Sequence, residues 1–372
     1  MTDFFQGWPA KNLATGILLL VLFLLALRLS RRAYWREAFR EIRRRRGSMF
    51  CLAVLCVYLL IALLDSFGWC SPMRHPESGE LMRHAQSQKI LYDQGASALD
   101  RLLQPLRHKQ EKTYSAPLAT KQFFSETELD ADGVPRRVQP ALLYPRQHLF
   151  GTDRVGVDVL YQCLKSVRTG MIIGLLTTLL ALPFAMLFGV CAGYYGGVVD
   201  DLIQYVYTVL SSIPTVLFVA AFMIIFGQGL AQLCLAMGIA SWTSLCRLLR
   251  AETMRLRESD FVQAAISMGS SGRKIIMRHI LPNVLHIILI TAMLRFSSEV
   301  LAEAALTYLG IGVGADTMSW GAMINDARSE LTRDPVIWWK LCAALLFMLG
   351  LVLPANIFGD AVRDALDPKL RQ

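Results

Sequence analysis

Two residue constellations in this sequence could do chemistry: glycine runs of the kind that cradle a phosphate, and ionisable groups at helical spacing. Gly269–Lys274 reads Gly-Ser-Ser-Gly-Arg-Lys. A phosphate loop needs G-x-x-x-x-G-K-[ST], and this spacing does not supply it. Gly310, Gly312 and Gly314 imitate a dinucleotide fingerprint, but an apolar helix precedes them where a strand is required. The six His show no H-x-x-x-H spacing, and no nucleophile–base pair can be argued. No catalytic, cofactor-binding or metal-binding residue is therefore expected. Arg295, Glu299 and Glu303 recur every four residues, on one helical face. Inside a membrane such charges face a cavity or a partner, so they would line a translocation route. The bland alternative is a local ion pair near the headgroups.

The elements that position these residues are membrane spans. Hydrophobic residues make up 54% and charged residues 18%, against about 45–50% and about 25% in soluble domains. That excludes a disordered chain and disfavours a soluble enzyme. Uncharged windows lie between Lys11 and Arg28, Arg46 and Asp65, Arg168 and Asp200, Asp201 and Arg247, and Lys340 and Asp360; a further one opens at Leu281. A span needs about 20 apolar residues. The Asp201–Arg247 window holds two, divided by Gly227-Gln228-Gly229. The runs are continuous and Leu-rich, unlike the alternating strands of a β-barrel. The expectation is seven helices: one extra at the N-terminus, then six. The first run lacks a small-x-small cleavage site before the Arg cluster that follows it, so it is read as a span and not a signal peptide.

Charge gives orientation. The segment from Arg28 to Arg46 carries Arg28, Arg31, Arg32, Arg36, Arg40, Arg43, Arg44, Arg45 and Arg46 against Glu37 and Glu41, and must be cytoplasmic. The N-terminus is then external, 65–168 is external, Arg247–His279 is internal, Thr307–Trp338 is external and the C-terminal tail is internal. The net charge of +9 is thus mostly topological, and nucleic-acid binding is not needed to explain it.

Arg247–His279 is the most informative segment. Around Phe261, Val262, Gln263, Ala264, Ala265 and Gly269 it reads as a short amphipathic helix closed by a left-handed glycine turn. A second helix re-enters the membrane at Leu281-Pro282. A short projecting helix suits docking into the groove of a soluble partner, or lying in the lipid interface; spacing alone does not choose. Ala264, Ala265, Gly269, Leu281 and Pro282 fall in the register of the EAA loop of ABC importer permeases, which this segment resembles. Gln263 stands where that loop usually has Glu, and His279 where many families have Ile. Gly151–Leu160, Ala192–Gly197 with Asp200, Leu301–Gly312 with Ser319-Trp320-Gly321, and Asp364–Leu370 resemble further motifs of the dipeptide and oligopeptide permease branch, in the family's order. Val157 stands where that branch usually has Arg.

The resemblance implies an all-α polytopic membrane protein, a six-helix type I importer permease core plus the extra N-terminal helix. Its divisions would be 1–46, the extra span and Arg-rich linker; 47–66, the first core span; 67–147, a periplasmic insert; 148–360, a five-helix core with coupling loop 247–280; and 361–372, a cytoplasmic tail. It implies a permease subunit in the bacterial inner membrane that moves peptides or peptide-like solutes. Its partners would be a homologous second permease, two cytoplasmic ATP-binding subunits and a periplasmic solute-binding protein, with lipid around it and no nucleic acid. The ATPase-coupling residues would be Phe261, Val262, Gln263, Ala264, Ala265, Gly269, Leu281 and Pro282. The alternatives are a secondary transporter, disfavoured because no internal repeat is visible, and a membrane-anchored ligand-binding or structural subunit.

Smaller features complete the expectation. Pro183, Pro214 and Pro354 sit inside spans and can seed kinks. Gly189-x-x-x-Gly193 permits close helix contact. Trp338 and Trp339 fit an external aromatic belt. Most of the eight Cys fall within spans as apolar filler; external Cys70 and Cys163 could pair in an oxidising compartment.

Overall fold

The computed structural model describes residues 12, 13, 16, 40–69, 96–129, 135–314 and 317–366. The expected first span, most of the Arg-rich linker and Cys70 lie outside the described residues. The elements run, in order, α1 (Arg46–Ser66), β1 (Gly68–Trp69), β2 (Ala96–Ser97), α2 (Ala98–Leu102), α3 (Gln104–His108), β3 (Glu126–Leu129), β4 (Pro135–Val138), α4 (Val159–Tyr195), α5 (Gly197–Ser212), α6 (Thr215–Phe226), α7 (Leu230–Arg257), α8 (Asp260–Ser267), α9 (Gly272–Ile275), a π turn (Ile276–Ile280), α10 (Leu281–Tyr308), α11 (Trp320–Glu330) and α12 (Trp339–Leu366). Among the described residues the strands form two antiparallel pairs, β1 with β2 and β3 with β4, and the remaining elements are helices.

Among the described residues, α1, α4, α7, the run from Gly272 to Tyr308 and α12 are long and apolar enough to cross a bilayer. α5 and α6 pass the same test only as a pair, bent by 84°, which is the form of a broken span or a re-entrant loop. Pro183 and Pro354 sit inside continuous helices. Pro214 does not: it is the N-cap of α6, and Ile213 before it is extended at φ −85°, ψ 123°. The proline ring excludes the helical conformation from its predecessor, so one apolar stretch becomes two helices at a sharp angle.

The chain divides into two compact units: the described residues of 1–37, 56–168 and 327–347, and those of 38–55, 169–326 and 348–372. In the first, α4 begins before the uncharged window does and carries Lys165 and Arg168 within it. Lys165 Nζ lies 2.6 Å from Asp65 Oδ1 and 3.0 Å from Asp100 Oδ1, and Arg168 stands 3.7 Å from Asp65 Oδ2. Two cations and two carboxylates thus neutralise one another in a place where a lone charge would be costly. Ser97 caps α2 through a reciprocal capping box with Asp100. Burial opposes ionisation of Asp100, but the Ser97 amide, the Tyr161 hydroxyl and Lys165 outweigh it and hold the carboxyl below its ordinary range.

The Gly151–Leu160 motif builds the same unit. Asp153 Oδ1 accepts the Val155 and Val157 amides, and Asp158 Oδ1 accepts those of Leu160 and Tyr161 at the start of α4. Trp339 does not belong to a lipid-facing belt. It is 1% exposed, its indole N–H donates to the Thr152 carbonyl at 3.0 Å, and its ring meets Phe123 edge-on. An indole is buried when its one donor finds a partner. Trp338, 53% exposed, keeps the outward place.

In the second unit α4 packs on α7 through small residues. A Cβ on Gly189 would stand 2.7 Å from the Cys246 carbonyl oxygen, and one on Gly193 would stand 2.6 Å from that of Arg250. Only glycine permits these backbones to come so close, the approach expected of a small-xxx-small pair. Ala181, Ala185, Trp242, Leu245, Leu249, Val262, Ala265, Ile275 and Ile288 share one buried cluster. It joins α4, α7, α8, α9 and α10.

Candidate functional site

Two features of the second unit have geometry that suggests work. The first is the segment around α8. Val262 and Ala265 are buried in the cluster shared with the spans, whereas Phe261, Gln263, Ala264, Ile266 and Met268 are exposed, Met268 by 78%. One face of a two-turn helix is therefore rooted in the core and the other presents apolar side chains outward. Gly269 ends it at φ +74°; its N–H reaches the Ile266 carbonyl at 2.9 Å and the Ser270 N–H reaches that of Ala265 at 3.1 Å. This is the Schellman closure, in which the residue after the C-cap, here Gly269, takes the left-handed conformation. Gln263 Nε2 donates to the Arg257 carbonyl at 2.9 Å, at the end of α7. A carboxylate in that position could not donate, so the amide does local work that the usual Glu would not.

The motifs that sequence spaces far apart meet here. Asp200, in the first turn of α5, takes Arg250 of α7 bidentately, Nε to Oδ1 at 2.5 Å and Nη2 to Oδ2 at 2.6 Å. Arg257 Nη1 donates to the Tyr194 carbonyl, and the Tyr194 ring sits against Gly272, where a Cβ would come within 2.9 Å. Leu281 N–H reaches back to the Ile276 carbonyl, closing the π turn, and Pro282, which has no N–H, follows in the first turn of α10. Asn283 Nδ2 donates to the His279 carbonyl at 2.6 Å. The ends of α5, α7, α8 and α10 are thus held to one another by charge, backbone and packing.

The second feature is a cavity of about 590 Å³ bounded by α5, α6, α7 and α10. Its lining runs along α10 from Arg295 to the helix's C-cap, Leu309, about 21 Å at roughly 1.5 Å per residue. It is a groove along much of a bilayer core rather than a compact pocket. Arg295 and Glu299 line it; Glu303 is not among the lining residues. Arg295 donates to Ser244 Oγ at 2.9 Å and to Glu299 Oε1 at 3.3 Å. Glu303, 1% exposed, instead accepts from Thr307 Oγ1 at 2.8 Å and from Ser319. Ser319-Trp320-Gly321 packs on the end of α10, with Gly321 against Ala304 and Thr307. Sequence spacing missed Arg247 and Ser244, which also line the groove, as does the α5–α6 break at Pro214, where the sequence suggests a kink. The signal available was Pro214 in an apolar run and Arg247 closing it.

A span-rich helical unit with a projecting interhelical segment defines the class, a multi-pass membrane protein. The family model described as "Binding-protein-dependent transport system inner membrane component" matches residues 185–372. The oligopeptide transport system permease protein OppC of Haemophilus influenzae is 33% identical over 249 residues, 67% of this chain and 78% of that protein. The dipeptide permease DppC of Alkalihalophilus pseudofirmus is 35% identical over 256 residues, 69% and 81%. The glutathione permease GsiD of Pectobacterium atrosepticum is 34% identical over 224 residues, 60% and 73%. An inward-facing structure of the MetNI methionine ABC transporter aligns with a TM-score of 0.46 at 14% identity, covering 55% of this chain and 97% of that one. The chain belongs to the family of binding-protein-dependent transport inner membrane components. It is a transmembrane permease subunit of an ABC importer, multi-pass in the inner membrane.

Proposed function

We propose that this subunit couples ATP hydrolysis by two cytoplasmic ATP-binding partners to inward movement of peptides or peptide-like solutes. It pairs with a homologous second permease, receives cargo from a periplasmic solute-binding protein and itself hydrolyses nothing. Its N-terminus is periplasmic and its C-terminus cytoplasmic, a reading that the Arg28–Arg46 cluster and the basic 247–280 loop support. The named functions of the OppC and DppC relatives support a peptide cargo.

The observation that carries the mechanism is the two-faced α8. Phe261, Gln263, Ala264, Ile266 and Met268 form the gripped face; Val262 and Ala265 transmit to the core; Gly269 sets the exit; Leu281 and Pro282 begin the span that moves. Closure of the ATPase pair pushes this rooted helix, and the cluster it shares with α4, α7 and α10 moves as one body. Arg295 and Glu299 border the route, with Glu303 fixing the far end of α10 from within. Reconstitution with the partner subunits tests this: peptide uptake should require ATP and disappear when an ATPase subunit is omitted. Uptake without the ATPases would overturn it in favour of a secondary transporter.

A further inference from the structure

We infer that the groove between α5, α6, α7 and α10 recognises a carboxylate of the passing solute, with Arg247 as the guanidinium that receives it; this rests on the peptide import proposed above. The groove's volume of about 590 Å³ suits a short peptide rather than an ion, since small-molecule sites occupy about 300–1,000 Å³.

Charge decides what it holds. Three ionisable side chains line it: Arg247, Arg295 and Glu299. Glu299 is committed to Arg295, which also holds Ser244. Arg247 is exposed, and among the described residues its contact is the face of Tyr207, 5.9 Å from guanidinium carbon to ring centroid. The lining therefore carries one positive charge more than Glu299 neutralises. An aromatic face steadies a guanidinium without using its donors, which leaves the planar fork free for a bidentate acceptor. Leu210, Ile213, Met237 and Leu306 form the apolar walls. Low-polarity walls strengthen a charge-assisted hydrogen bond relative to water. A free C-terminal carboxylate fits the fork; the amide of the same peptide lacks the charge and places a donor against a donor.

The test uses the complete reconstituted importer and one short peptide in two forms, free acid and C-terminal amide. The quantity read is the ratio of their uptake rates. It is taken within one preparation, so partial loss of assembly cancels. The same solute-binding protein serves every variant, so its own preference cancels between them. Arg247→Gln should lower the acid-to-amide ratio about tenfold, the worth of roughly one charge-assisted hydrogen bond. Arg247→Lys should keep most of the preference. An unchanged ratio in Arg247→Gln with both peptides still imported overturns the inference and leaves the import proposal standing; Arg247 would then be a span-edge cation facing headgroups. Import of neither peptide by the wild-type importer overturns the peptide proposal and this inference with it.

Discussion

Gly269 separates backbone strain from partner contact more cleanly than any other position in the coupling segment. Its φ of +74° lies where an L side chain is strained, yet a Cβ built there meets nothing within 4 Å. Within this chain, Ala and Trp should therefore carry the same penalty, about 1–2 kcal/mol for a left-handed residue. Asn visits that region readily and should recover most of it. If the penalty falls wholly on the docking-competent turn, affinity for the ATP-binding subunits drops by about 5–30-fold for Ala. Trp adds an indole of about 150–250 Å² that the isolated chain accommodates and a gripping groove does not. The assay is co-purification, followed by a dissociation constant for detergent-solubilised permease and ATPase subunits. The expected order is Gly, then Asn, then Ala, with Trp below detection while membrane insertion is retained. Trp equal to Ala would refute the reasoning, because the loss would then be backbone strain alone.

Other consequences follow from the contacts of each unit. Asp200→Ala strands Arg250, 22% exposed in its side chain, and should cost about 2 kcal/mol, between a surface pair and a buried one; protease cleavage near residue 197 should speed up, and an unchanged rate would contradict the role of the pair. Gly193→Leu forces a side chain to within 2.6 Å of the Arg250 carbonyl oxygen and should cost about 1–3 kcal/mol, read as loss of monodisperse protein on size-exclusion chromatography. Asp100, held below its ordinary value of 3.8, contributes stability that is present above that value and lost as pH falls through its lower folded value. Thermal unfolding from about pH 3 to 7 should therefore steepen below about 4 in the wild type and flatten in Asp100→Asn.

Much of this architecture was legible because apolar length is a composition signal. The cores of α1, α4, α7, α10 and α12 follow the uncharged windows, and the glycines at 189, 193 and 269 act as their spacing suggests. Direction was less legible. The apolar run from Leu202 to Phe226 looks like one span, and hydropathy has no means of reporting the 84° break at Pro214. Charge also misled as a boundary marker. Arg168 and Lys340 end windows in the sequence but lie inside helices, because Asp65 and Glu330 come to them from other elements. Trp339 misled for the same reason: its partner, the Thr152 carbonyl, is remote in sequence. At the candidate sites, Arg295 and Glu299 share a face as their spacing predicts. Glu303 sits on that face and still misses the groove, because Thr307 and Ser319 capture it.

The coupling claim is tested most directly by a photoreactive amino acid in place of Met268, the most exposed apolar side chain of the segment. Irradiation of the assembled importer should yield an adduct with an ATP-binding subunit. Adducts with lipid alone, in preparations that contain the ATPase subunits, would contradict the account.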